Sequence, residues 1–161
     1  MRNSKVKGFT LIELIVVIAI IGVLAAILVP SMMGFVKDSK YSTANSNAKL
    51  VHTNLSTWAT KAETAGYPLS NVTASTTGIA IPTRPGTQPA ITDQTTADAI
   101  GTALGYYMGT DSPNGAGFYS AEISNGAPTK TWWAKTATDV VVGRYPDAAS
   151  ASDATAVTFG H

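Results

Sequence analysis

The run Leu14 to Val29, LIVVIAIIGVLAAILV, contains no polar side chain, and from Phe9 to Val36 the only ionisable residue is Glu13. A helix needs about 20 mostly apolar residues to cross a bilayer core. This stretch has that length, and a fold that hides it must use lipid or other helices. Ahead of it, Met1 to Lys7 carries Arg2, Lys5 and Lys7 and no acid. A secretory signal peptide has a shorter apolar core that ends in a small-residue cleavage site. Here the run is longer and is followed by Pro30-Ser31-Met32-Met33-Gly34-Phe35. A plain single-span anchor accounts for the hydrophobicity but gives no reason for Glu13, since an acid in an apolar segment costs a few kcal/mol unless paired or held at the interface.

The segment Lys7-Gly8-Phe9-Thr10-Leu11-Ile12-Glu13, set between a basic leader and an apolar run, resembles the processing and assembly signature of type IV pilins and pseudopilins. The resemblance covers roughly residues 5–40 and is only architectural beyond them. It implies that a prepilin peptidase cuts after Gly8, that Phe9 is the new N-terminus and is N-methylated, and that Glu13 stays in the hydrophobic segment. It also implies a homopolymer of pilin subunits and an assembly platform in the inner or cytoplasmic membrane. The precursor would sit in that membrane with its leader inside and its head outside, before joining an extracellular pilus.

Electrostatics give Glu13 a reason of its own. Cleavage would expose an α-amine on Phe9, and two charges in a low-dielectric bundle are costly apart and compensated together. Phe9 of one subunit and Glu13 of another therefore make an assembly salt bridge that fixes register. The leader's basic residues favour a cytoplasmic N-terminus. Gly22 and Ala26 form a small-xxx-small pair that permits close helix approach, although glycine is also simply tolerated in membrane helices. Pro30 removes a backbone donor and is expected to kink the helix without ending it. The related pilins have a proline at the corresponding place.

From Tyr41 the pattern changes. Tyr41, Ala44, Ala48, Val51, Leu55, Trp58 and Ala62 form a one-sided stripe with polar residues between them, the mark of an amphipathic helix with one covered face. Gly66 and Pro68 should end it. Residues 67–116 are rich in Thr, Ser, Gly and Pro, with Pro82, Pro85 and Pro89 breaking any long element. Within them Gly78–Ile81 reads as a short strand and Ala97–Tyr107 as a short helix. Strands are expected at Phe118–Ile123, Thr129–Lys135, Val140–Tyr145 and Ala156–Phe159, with a turn at Asn125-Gly126-Ala127-Pro128.

The expected fold class is α+β. A long N-terminal helix packs against a small antiparallel sheet, as in type IV pilins. The expected organisation is a cleaved leader at 1–8, a membrane and filament-core helix at 9–36, an amphipathic half-helix at 37–66, and a head at 67–161.

Enzymatic chemistry finds no foothold. The two histidines, His52 and His161, lack metal-ligand spacing, and there is no phosphate loop or nucleophile motif. No cofactor or metal is expected. Asp147 and Asp153 flank a small-residue loop; the secretion branch of the family can hold calcium there, but oxygen ligands are sparse, and a solvated loop is the simpler reading. Asn71-Val72-Thr73 fits a glycosylation sequon. Trp132 and Trp133 are adjacent on a strand and so point to opposite faces. One is expected in the core, and the other, if exposed, would be a contact for sugars.

Charged residues make up 13% of the chain and the net charge is +1, a balance that argues against obligatory nucleic acid binding. Loss of the leader would leave a formal charge of −2. The expected function is a structural pilus subunit serving adhesion, motility or surface attachment. Two alternatives stand: a pseudopilin of a type II secretion or competence DNA-uptake machine, and a carbohydrate-binding adhesin on a pilin stalk. The lack of cysteine points to a Gram-positive source, because many Gram-negative pilins that the sequence resembles carry a disulfide.

Overall fold

The computed structural model describes residues 8–91, 97–112, 115–152 and 158–160. The elements in chain order are helix α1 (Leu11–Thr64), strand β1 (Ile79–Ala80), helix α2 (Ala97–Met108), and strands β2 (Phe118–Ser124), β3 (Ala127–Ala134) and β4 (Val142–Tyr145). The chain divides into two compact units, Met1–Lys37 and Asp38–His161.

In the first unit, the described residues 8–36 are all exposed. Fully burying one Leu, Ile, Val, Phe or Met side chain is worth about 1.5–3 kcal/mol, so an uncovered helix of this composition is unstable in water. α1 stays helical through Pro30. The proline has no N–H for the carbonyl of Ala26, and next to it the Ser31 hydroxyl donates to the Leu28 carbonyl at 2.9 Å.

In the second unit, all seven positions of the stripe are buried, and Ala59 joins them. α1 ends in a Schellman motif. The Tyr67 N–H donates to the Ala62 carbonyl at 2.9 Å and the Gly66 N–H to the Glu63 carbonyl at 3.0 Å. Gly66 sits at φ 86°, a left-handed conformation that glycine adopts without a Cβ penalty.

The sheet is antiparallel throughout, in the order β1-β2-β3-β4. Asn125 at φ 51° and Gly126 at φ 79° form the two-residue turn between β2 and β3, where a type I′ geometry needs positive φ at both positions. Pro128 has no N–H for the ladder and lies opposite Ile123, where the register shifts by a bulge. Ile123 bonds instead in both directions with Val72, at 2.8 and 2.9 Å.

Side chains alternate across the sheet, and both faces are covered. Tyr119, Ala121, Ile123 and Trp133 join Ala44, Ala48, Val51, Leu55 and Trp58 of α1 and the buried residues Ile100, Ala103 and Leu104 of α2 in one core. Trp132, Ala134 and Val142 form a second cluster with Tyr41, Ala149 and Phe159. Phe159 lies where a side chain on Gly78 would have to go. Polar ties accompany this packing. The buried Thr131 hydroxyl donates to the Ala48 carbonyl at 2.8 Å. Asn45 Oδ1 accepts the N–H groups of Arg144 and Ala149, both at 3.0 Å, and Asn45 Nδ2 donates to the Ala149 carbonyl at 2.7 Å.

The α+β class is as expected, with the strands expected at 78–81, 118–123, 129–135 and 140–145 present in slightly shifted bounds and α2 close to its expected range. The strand expected at Ala156–Phe159 falls partly outside the described residues, and 158–160 are not strand.

Candidate functional site: the start of the long helix

Thr10 is the residue before the first turn of α1. Its side chain and that of Glu13 close a capping box: the Thr10 N–H donates to Glu13 Oε2 at 2.8 Å, and the Glu13 N–H donates to Thr10 Oγ1 at 3.3 Å. Thr10 Oγ1–H also donates to the same Oε2 at 2.6 Å. Such a cap satisfies backbone donors that the first turn leaves unpaired. It contributes about 1 kcal/mol to the helix. A carboxylate in the first turn also suits the positive end of the helix dipole.

The division of labour within the carboxylate matters. Oε2 takes both Thr10 donors, while Oε1 has no hydrogen bond among the described residues. One oxygen is committed inside the chain and the other is open to a second donor. The Thr-x-x-Glu spacing that carries this signal lies in plain view in the sequence, and reading Glu13 only as a partner for an external amine misses it. Gly8 and Phe9 precede the helix and are exposed, Phe9 at 82%.

Elsewhere the anticipated residues have structural surroundings. Trp132 is 2% and Trp133 8% exposed, so the exposed indole required for sugar stacking is not formed by either. Trp133 packs in the core against α1, and the second sheet face, with Trp132, is covered by Ala149 and Phe159, with Ala74 packed alongside. The composition of that C-terminal stretch, mostly small residues, does not announce it. Trp133 Nε1 donates to the Ala116 carbonyl at 2.8 Å. His52 Nε2 lies 3.1 Å from the Pro128 carbonyl, and its ring lies 4.7 Å from that of Tyr145. Asn71 Oδ1, in the sequon, accepts the Asn125 N–H at 2.8 Å. The Asp147 carbonyl accepts from Arg144 Nε at 2.7 Å; Asp153 and His161 lie outside the described residues.

A Gly-Phe-Thr segment leading into a helix that starts Leu-Ile-Glu and is apolar for two dozen residues, with a small antiparallel sheet later in the chain, is a pilin-like arrangement. Residues 3–29 match the family model of the prokaryotic N-terminal methylation motif. The chain is 51% identical over 51 residues to the type IV major pilin protein PilA of Myxococcus xanthus, covering 32% of this chain and 23% of that one. It is 42% identical over 64 residues to the type IV major fimbrial protein FimA of Dichelobacter nodosus, covering 40% and 41%. It is 35% identical over 68 residues to the type II secretion system core protein G of Pseudomonas aeruginosa, covering 42% and 46%. The chain thus spans less than half the length of each of these relatives. No solved structure gives a significant match. By its N-terminal segment the chain is similar to type IV pilins and to a type II secretion core protein. Nothing in these relatives supports a Gram-positive source.

Proposed function

We propose that this chain is a structural, non-enzymatic pilus subunit. A prepilin peptidase removes residues 1–8 after Gly8, Phe9 is N-methylated, and the subunit polymerises through the apolar half of α1. Before assembly that half spans the cytoplasmic membrane, with the head outside, and a membrane assembly platform then draws it into an extracellular filament.

One observation carries this reading. The exposed apolar helix holds a single carboxylate at its start, with one oxygen capped by Thr10 and the other open. Lipid or neighbouring helices cover such a surface equally well, so one segment serves both the stored and the assembled state. The ammonium of Phe9 from a neighbouring subunit is the donor that fits Glu13 Oε1. The cost of an unpaired charge in an apolar bundle then favours the staggered assembly over other registers. Pro30 locally weakens the backbone ladder and allows the helix to bend when its surroundings change.

A second reading rests on the similarity to the secretion-system core protein, whose matched stretch is longer than those of the two pilins cited above. Under it, the same processing and pairing build a short fibre in a secretion or DNA-uptake machine. Electron microscopy of surface filaments, with mass spectrometry of the chain purified from them, tests both. Filaments containing a chain that begins at methylated Phe9 support the pilus reading. A processed chain found only in the membrane favours the secretion-type fibre. A chain that keeps its leader when the peptidase is present overturns both.

A further inference from the structure

The head unit has a cleft of about 380 Å³ whose lining includes Ser39, Lys40, Thr43, Trp133, Lys135 and Asp139. Its charged groups are two ammoniums and one carboxylate. Lys40 is exposed and has no hydrogen-bond or ion-pair partner among the described residues. Lys135 Nζ donates to the Gly115 carbonyl at 3.2 Å, which leaves two of its three donors. Asp139 Oδ1 accepts the Val141 N–H at 3.1 Å. Neither lysine forms an ion pair with Asp139. The cleft therefore presents net positive charge with one acceptor at its side, and the wall formed by Trp133, Ala44 and Val141 is apolar.

Chain connectivity restricts where this cleft can be. Lys40 is four residues past Val36, the last residue of the apolar run. Four residues span at most about 14 Å, and the polar layer of a leaflet adds about 5–7 Å beyond the hydrocarbon. If 9–36 crosses the membrane, Lys40 is tethered within reach of the headgroups on the outer side.

We propose that this cleft binds the headgroup of a membrane phospholipid. The phosphodiester lies against Lys40 and Lys135, and a hydrogen-bond-donating end, a glycerol hydroxyl or an ethanolamine ammonium, lies against Asp139. A choline end has no proton to donate to Asp139 and is disfavoured. The inference rests on the membrane-spanning reading of 9–36. It gives the head a defined resting contact with the membrane, which extraction into a filament must break.

The test uses the full chain in nanodiscs of phosphatidylcholine doped with phosphatidylglycerol or phosphatidylethanolamine, with lipid retained after detergent release counted by native mass spectrometry. The wild-type chain should retain either dopant about tenfold over phosphatidylcholine, because only the dopants offer the Asp139 carboxylate a hydrogen-bond donor. Lys40→Gln with Lys135→Gln should lose the retained lipid, and Lys40→Arg with Lys135→Arg should keep it. Asp139→Asn, which preserves the acceptor for Val141, should lose the discrimination against choline. Lys49→Gln, outside the cleft, should change nothing. Circular dichroism checks that each variant is folded. Equal retention of all three lipids, or unchanged retention in the double glutamine variant, would overturn the site. So would binding of inorganic phosphate without any lipid preference. Resistance to alkaline carbonate extraction reports insertion separately: a chain that fails to insert overturns the membrane reading, while one that inserts without lipid preference overturns the cleft alone.

Discussion

Gly143 of β4 and Ala44 of α1 meet backbone to backbone. A Cβ added at Gly143 would overlap the carbonyl of Ala44 and the amide nitrogen of Asn45. The third and fourth strands can therefore come down onto the helix only because one position has no side chain and the facing one has a methyl. We expect Gly143→Ala to cost at least 1–3 kcal/mol, roughly the range for overpacking a tight contact. The neighbouring Thr131 bond to the Ala48 carbonyl should be strained by the same displacement. Thermal unfolding of the full chain in detergent, followed by near-ultraviolet circular dichroism, would register the loss as a lowered midpoint. An unchanged midpoint would mean that the strand moves away at little cost.

Asn45 ties three segments with one side chain, accepting from the backbone of Arg144 and Ala149 and donating to Ala149. Asn45→Ala strands two N–H groups and a carbonyl in a partly buried place. Each unmet group costs about 1–3 kcal/mol, so a total of several kcal/mol is expected. Asn45→Asp keeps the acceptor and loses the donor, and should fall between alanine and the wild type. Hydrogen exchange at the Arg144 and Ala149 amides distinguishes the two. Both amides should exchange faster in the alanine variant and stay protected in the aspartate variant.

How much of this was legible in the sequence depends on the length scale of the signal. The stripe from Tyr41 to Ala62 is visible because helical periodicity places each member from its neighbours alone, and every member is buried. The Schellman end at Gly66 and the Asn125-Gly126 turn are similarly local. Asn45 and Gly143 are not legible, since each matters through a partner about 100 positions away. The burial of Trp132 hides for the same reason: its cover comes from Ala149 and Phe159, residues that no period connects to it. At the N-terminus, the sequence pointed to Gly8, Phe9 and Glu13, and the capping role of Thr10 lay in the same short motif.

The tryptophans should accordingly behave as core residues. Trp132→Ala removes a side chain that is 2% exposed and should destabilise the head by about 3–5 kcal/mol. Trp133→Phe retains most of the packing but forfeits the bond to the Ala116 carbonyl, for about 1 kcal/mol. Denaturant titration with tryptophan fluorescence measures both. Polysaccharide binding that vanished in a variant of unaltered stability would restore a recognition role for these indoles.

The capping box allows two functions of Glu13 to be separated. Glu13→Ala removes both the intrachain acceptor and the charge. It should leave membrane insertion intact and sharply reduce filament yield. Thr10→Ala removes the two bonds made by the Thr10 hydroxyl and keeps the backbone N–H of residue 10 for the carboxylate. It should cost the first turn about 1 kcal/mol and leave most of the assembly. Glu13→Gln supplies the test between them, because a glutamine at this position still completes a capping box but offers no charge to an ammonium. If helix capping is what assembly needs, Glu13→Gln should polymerise almost as well as wild type. If the neighbour's amine is the partner, it should fail nearly as badly as Glu13→Ala, while inserting normally and being processed at Gly8. Filament yield by shearing and electron microscopy, with processing followed by mass spectrometry, reads out the three variants together. Wild-type yield from Glu13→Gln would refute the charge-pairing account.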